Sequence, residues 1–182
     1  PPPPPLPHLA IGGIYPKKFE RLMPTELRKL ATMEMIVTAG LDIEGEVVVN
    51  AWRQTLERPP AYLSTWVEAY ATAGHAVLLY GKADLMTGFE GEHPAFRLTD
   101  WPAGAGQMIT EAGCGNVFQP HGAVDLQPTI AMAAKMALDA LLGRLPDSCR
   151  RVWFGDRGVV GALGGVPREA FHETNAMRQF PW

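Results

Sequence analysis

Three stretches of the sequence predict an α/β fold. "EMIVTAGLD" (34–42) is a short β-branched run that ends in small residues and an aspartate, as a buried parallel strand feeding a loop reads. "GHAVLLY" (74–80) is a compact apolar run of strand length. "QPTIAMAAKMALDALLG" (127–143) has helical length and periodicity, with Pro128 at the first turn and an apolar stripe of Ile130, Ala134, Ala137, Leu138 and Leu141. Gly143 then stands where a C-cap belongs.

Between these anchors the other elements follow in order. "PTELRKLATM" predicts a helix, with Pro24 suited to a first turn and Leu27 and Leu30 on one face. "IEGEVVVNAWRQTLERPP" has an acidic start, helical length and a closing Pro-Pro, which favour a helix ending at Arg58, although "EVVVN" alone also fits a strand. "AYLSTWVEAYATAGHAVLLYG" holds two apolar runs around Ala-Gly and reads as two strands. From Gly81 to Gly113 the pattern becomes loop-like, rich in Gly and Pro, a length that in a compact domain marks a functional or disordered segment. "RRVWFGD" predicts a last strand, followed by short turns. The organisation is then a proline-rich start and connector (1–24), an α/β sheet portion (25–80), a loop region with a candidate cysteine (81–127) and a helix with a terminal strand and turns (128–182). The five opening prolines favour an extended segment, and the start reads as a fragment, a processed chain or one part of a longer polypeptide.

Composition narrows the function classes. The chain has 182 residues, 47% hydrophobic, with a formal net charge of −3, which suits one globular domain with a sizeable core. No basic run offers a nucleic-acid footprint, and no stretch approaches the roughly 20 apolar residues that span a bilayer. Two cysteines make no disulfide framework and point to a reducing, cytoplasmic setting. No Gly-x-Gly-x-x-Gly fingerprint and no P-loop occurs, so the sequence contains no phosphate cradle of those kinds.

The candidate chemistry centres on "EAGCGNVFQPHGAVDLQP" (111–128). Cys114 lies between two glycines, with His121 seven positions later. A thiolate is favoured where backbone N–H groups or a helix N-terminus face it, and a histidine base activates a thiol. A free cysteine is equally a small core residue, and His121 equally a turn residue. Zinc is poorly served, since Cys114, His121 and His93 form an irregular set without paired cysteines. Cys149 carries no signal beyond packing or surface. His75, inside an apolar run, reads as a hydrogen-bonded core residue. Asp42 closes a strand, where a carboxylate serves a nucleotide or Mg²⁺, or caps the next helix.

Taken together, "MEMIVTAGLDIEGEVVVNAWRQTLERPPAYLSTWVEAYATAGHAVLL" resembles the second half of the adenylation domain of the ThiF-like superfamily, which includes ubiquitin-activating enzymes and their bacterial relatives. "GCGNVFQPHGAVDLQPTIAMAAKMALDALLG" is similar to the bacterial branch, where a cysteine in such a setting precedes a Phe-x-Pro-aromatic turn and an alanine-rich helix; here His121 stands at the aromatic position. The resemblance covers roughly residues 30 to 145. It implies the C-terminal half of a Rossmann-like ThiF-type adenylation domain with a long crossover loop. It further implies an enzyme that adenylates the C-terminus of a ubiquitin-like protein with ATP and Mg²⁺. Asp42 would stand at the acidic position near Mg-ATP, and Cys114 would take the activated C-terminus as a thioester. A homodimer, or pairing with a chain carrying the N-terminal half, and a conjugating enzyme are the implied partners. The glycine-rich ATP loop, the arginine and lysine that act on phosphates, and the zinc-binding cysteine pairs of many relatives are absent from this sequence. The alternative is therefore a non-catalytic ThiF-like scaffold paired with an active subunit. A truncated nucleotide-binding oxidoreductase is a third, weaker reading.

Overall fold

The computed structural model describes residues 19–40, 43–88, 97–102, 109–110, 117–118 and 121–182. Helix α1 (Pro24–Leu30) starts on Pro24, and the Glu26 carboxylate accepts the Met23 N–H at 2.6 Å. Strand β1 (Met35–Ala39) is followed by α2 (Ile43–Thr55), then by β2 (Ala61–Val67) and β3 (Ala73–Leu79). "EVVVN" is thus helical, and α2 stops short of Arg58 where Thr55 turns its hydroxyl back onto the Trp52 carbonyl at 2.7 Å. The two-residue strands β4 (Thr99–Asp100), β5 (Ile109–Thr110) and β6 (Val117–Phe118) fall within the stretch whose composition reads as loop. Helix α3 (Ala123–Leu141), β7 (Cys149–Phe154), α4 (Arg157–Ala162), β8 (Val166–Pro167) and β9 (Ala176–Pro181) complete the order.

Five strands form the main sheet in the order β1-β2-β3-β7-β9. β1 and β2 run parallel, from Met35 opposite Ala61 to Ala39 opposite Thr65, and α2 is the crossover that a parallel pair requires. All later pairings in this sheet are antiparallel. β4 pairs with β8, and β5 with β6, as separate ribbons. The α/β class is as the sequence predicts, with a mixed sheet.

Helices cover both faces, so β3 is buried along its whole length. On one face Ile36, Tyr62, Val77 and Leu79 pack with Val49 of α2 and with Leu85. On the other, Leu63, Ala76, Leu78 and Cys149 pack with Met132, Ala133 and Met136 of α3. A third cluster, of Ala73, Leu98, Val152, Phe154, Val160 and Phe171, fills the end of the sheet nearest α4. Each fully buried aliphatic or aromatic side chain contributes about 1.5–3 kcal/mol of transfer free energy, so these clusters carry most of the stability.

Five expectations need correction. β1 is an edge of the described sheet and alternates in burial: Ile36 and Thr38 are buried, while Val37 is 55% exposed. The turn between β2 and β3 falls at Ala69–Ala71, which leaves Ala73-Gly74 inside β3. Helix α3 begins a turn and a half before Pro128, because the Asp125 carboxylate accepts the Gly122 N–H at 2.8 Å and starts the helix there. Pro128 then forfeits one backbone bond to the highly exposed Val124. The buried face of α3 comprises Thr129, Met132, Ala133, Met136 and Asp139, while Ile130 and Leu138 are exposed. α3 is apolar nearly all round, so tertiary fit selects the face. Finally β9 is a full strand where turns are predicted. It is an exposed edge, so its side chains lack the alternation that marks a half-buried strand. Gly143, at φ +68° beyond α3, holds its predicted capping place, with the Arg144 N–H bonded to the Asp139 carbonyl at 2.8 Å.

Two contacts hold α3 in register. A Cβ on Gly74 would lie 1.8 Å from Thr129 Oγ1 and 2.7 Å from its Cβ, so α3 approaches β3 through a notch only glycine provides. Near the other end Asp139 accepts from Arg151 of β7 at 3.0 Å, and both side chains are 8% exposed. Lys135 also donates to Asp139, and these bonds hold its carboxyl down at about 2. Arg151 in turn donates to Gln179 of β9 at 2.9 Å.

Gly74→Ala is expected to cost roughly 2 kcal/mol by forcing α3 off β3, and Thr129→Gly in the same chain should recover most of it. Urea midpoints of the two single variants and the double variant measure this. Asp139→Asn should cost on the order of 3 kcal/mol by leaving Arg151 buried without its counter-charge. Because the folded carboxyl sits at about 2 against an ordinary 3.8, the wild-type contribution is complete above pH 3.8 and is lost as pH falls toward 2. Urea melts from pH 5 to pH 2 should show that slope in the wild type and lose that share of it in Asp139→Asn.

Candidate functional site at the carboxyl end of the parallel strands

β1 ends in Ala39 and Gly40, and the ladder continues one step further through the Gly40 N–H to the Thr65 carbonyl at 2.9 Å. Gly40 takes φ +68°, which turns the chain away from the sheet at a position that suits glycine. A cavity of about 590 Å³ opens there. Its walls are Ala39 and Gly40, then Thr65, Trp66 and Val67 of β2, with Leu126, Thr129 and Ile130 of α3; His121 and Glu46 complete it. This is the carboxyl end of the parallel pair, where open α/β sheets bind ligands. The volume suits a small-molecule or peptide-tail ligand.

Beneath the cavity lies a buried polar network that carries sequence-distant elements. Glu46 of α2, 5% exposed, accepts from the Tyr62 hydroxyl and, at 3.1 Å, from Thr38. Burial, then the Glu46 charge, pushes the Tyr62 phenol far above its ordinary value, so it remains a donor. The fully buried Arg53 guanidinium lies 5.6 Å over the Tyr62 ring. Arg53 also donates to the carbonyls of Gly81 and Ala83, and Asn50 donates to Asp84 at 2.6 Å. The chain leaving β3 is therefore fastened to α2, and α2 is fastened to the strand floor of the cavity.

Of the residues that the sequence singles out, Asp42, Cys114 and His93 lie outside the described residues. Gly40, two positions before Asp42, lines the cavity. In sequence Cys114 falls between the paired strands β5 and β6. His121 is exposed and lines the cavity. His75 is buried, as its apolar setting predicts: its Nε2 lies 2.9 Å from Glu68 and its ring stacks on Trp66 at 5.0 Å. Cys149 is packed between sheet and α3, and burial pushes its thiol up, away from the reactive thiolate. Among the described residues no group of three His, Cys, Asp or Glu side chains stands where a metal ion could be held. Among the described residues no lysine or arginine lines the cavity, and those that do line it are mostly apolar.

Sequence reasoning misses Glu46, Trp66, Glu68 and Thr129. Glu46 reads as part of an acidic helix start, and only the fold brings Thr38 and Tyr62 to it. Thr129 is 4% exposed and its Oγ1 finds no partner among the described residues, packed as it is over Gly74.

Tyr62→Phe is expected to cost about 1–2 kcal/mol by removing one donor from the buried Glu46. A spectrophotometric titration near 295 nm should show the same tyrosine amplitude in wild type and variant up to pH 11, since Tyr62 does not ionise in the ordinary range. No protein-family model and no curated protein matches the chain, so its chemistry is argued from these residues.

Proposed function

We propose that this chain is the C-terminal part of a ubiquitin-activating-like enzyme of the ThiF-like superfamily. In this reading it adopts the second half of a Rossmann-like adenylation domain and works in the cytoplasm on the C-terminus of a ubiquitin-like protein. The observation that carries the reading is the cavity at the carboxyl end of β1 and β2. Its rim includes Gly40, two positions ahead of Asp42, and His121, seven positions after Cys114. His121 and the end of the strand that precedes Asp42 thus share one cavity wall. The mostly apolar lining suits an extended protein tail.

ATP is a substrate whose phosphates require the glycine-rich half, supplied by another part of the polypeptide or by a second chain. Asp42 is the residue of this chain assigned to Mg²⁺, which offsets phosphate charge when bound. This chain carries the acceptor half-reaction. The Cys114 thiolate attacks the carbonyl carbon of the acyl-adenylate and a C–S bond forms. The C–O bond to phosphate breaks, and AMP departs with the electron pair. His121 is the candidate base for the thiol proton. The thioester then passes to a conjugating enzyme. A homodimer, or a pair with the chain bearing the glycine-rich loop, is the expected assembly.

The absence of lysine and arginine among the described lining residues favours one rival, a non-catalytic ThiF-like scaffold paired with an active subunit. One experiment separates the two. The chain is combined with the glycine-rich half, ATP, Mg²⁺ and the cognate ubiquitin-like protein, and analysed by non-reducing electrophoresis. A reductant-sensitive adduct that Cys114→Ala abolishes is the expected result, with at least a hundredfold loss. An adduct that persists in Cys114→Ala removes Cys114 as nucleophile. No adduct, together with a Cys114 inert to iodoacetamide at neutral pH and a stable complex with the glycine-rich half, establishes the scaffold.

A further inference from the structure

The β2–β3 turn has unusual geometry and an unusual partner. Tyr70 and Ala71 both adopt left-handed backbone, at φ 57° and 53°, although neither is glycine. Two such residues in succession store strain, and they persist where surrounding contacts impose them. The residue that opens the turn is Glu68, whose side chain is 9% exposed. One carboxylate oxygen accepts the Leu98 N–H at 2.6 Å and lies 2.9 Å from His75 Nε2; the other accepts the Thr99 N–H at 3.0 Å. Leu98 and Thr99 are each 1% exposed, so these two amides have no recourse to water. The stacked Trp66 and His75 rings hold the carboxylate from the sheet side. Trp101 closes the arrangement by packing on Tyr70, ring centroids 5.1 Å apart.

Residues 97–102 are the last described ones before the stretch that leads to β5, β6 and Cys114. We propose that Glu68 is a positioning residue, a carboxylate latch that fixes residues 98–99 to the β2–β3 turn and so sets the point from which the cysteine-bearing stretch departs. Glu68 itself is not among the residues that line the cavity. It acts through Leu98 and Thr99, and the strained turn is the geometry that aims the carboxylate at them. Asp100, held by Arg168 at 3.0 and 2.9 Å, fixes the far side of the same segment to β8. Losing the latch lowers the effective concentration of whatever follows the segment in the chain. That last consequence rests on the ubiquitin-activating reading; the latch itself does not.

The test compares wild type, Glu68→Ala and Glu68→Gln by native-state amide hydrogen exchange. Exchange at Leu98 and Thr99 should quicken at least tenfold in Glu68→Ala, with amides of Leu63, Val77 and Leu78 in the sheet unchanged. Glu68→Gln keeps one acceptor oxygen and should fall between. Unchanged exchange at 98 and 99 overturns the latch, and an equal rise across the whole sheet reduces Glu68 to a general stabiliser. In the thioester assay Glu68→Ala should slow adduct formation at least about twofold with ATP–pyrophosphate exchange unaltered. An adduct rate equal to wild type overturns the positioning role. If the wild type forms no adduct at all, the ubiquitin-activating reading fails, and amide exchange alone decides the latch.

Discussion

The double burial of β3 is the constraint on which the rest of the molecule depends. Seven consecutive residues, Ala73 to Leu79, are buried: Val77 and Leu79 pack toward α2, Ala76 and Leu78 toward α3, and Ala73 joins the cluster at α4. A strand in that position must be apolar on both sides and must leave room for two helices. Gly74 meets the second demand, because α3 seats Thr129 where any side chain on β3 would stand. Once α3 is seated there, its first turns reach past β2 and form one wall of the cavity, while Asp139 meets Arg151 at the other end. The site is therefore a by-product of how closely a helix can approach the central strand.

Buried polar groups then determine which loops are fixed. Arg53 has no exposed surface, yet it spends its donors on two backbone carbonyls past the end of β3. Glu46 gathers Thr38 and Tyr62, and Glu68 gathers His75 and two amides of the segment 97–102. In each case one charged side chain satisfies groups from elements far apart in sequence. Buried charges of this kind add little net stability compared with apolar residues of equal volume, but removing one partner is costly. They specify one arrangement of the loops around the cavity.

That division explains what was legible in the sequence. The α/β class, the parallel strand before Gly40, the helical character of 43–55, the strand containing His75 and the glycine cap after α3 all rest on local period and local chemistry. The buried face of α3 does not. Ile130 and Leu138 are as apolar as Met132 and Met136, and the choice is made by Gly74 and Arg151, neither of which lies in the helix. β9 escaped for a different reason, since an exposed edge strand needs no alternating pattern. Of the candidate site, His121 and the strand end before Asp42 were legible, because glycine, histidine and aspartate mark turns and strand ends. Glu46, Tyr62 and Glu68 were not, because their roles exist only after elements 16 to 31 residues apart have met.

The left-handed pair at Tyr70 and Ala71 bears on the order in which the chain folds. Hairpins that form early are closed by turns whose residues prefer that backbone, such as Asn-Gly. Here the turn opposes closure, and the contacts that compensate come from Leu98 and Thr99, about 30 positions later. The β2–β3 pairing is thus stabilised by a part of the chain that leaves the ribosome after the hairpin itself. Such non-local dependence raises contact order and slows folding. It makes the hairpin a late participant that waits for its downstream segment.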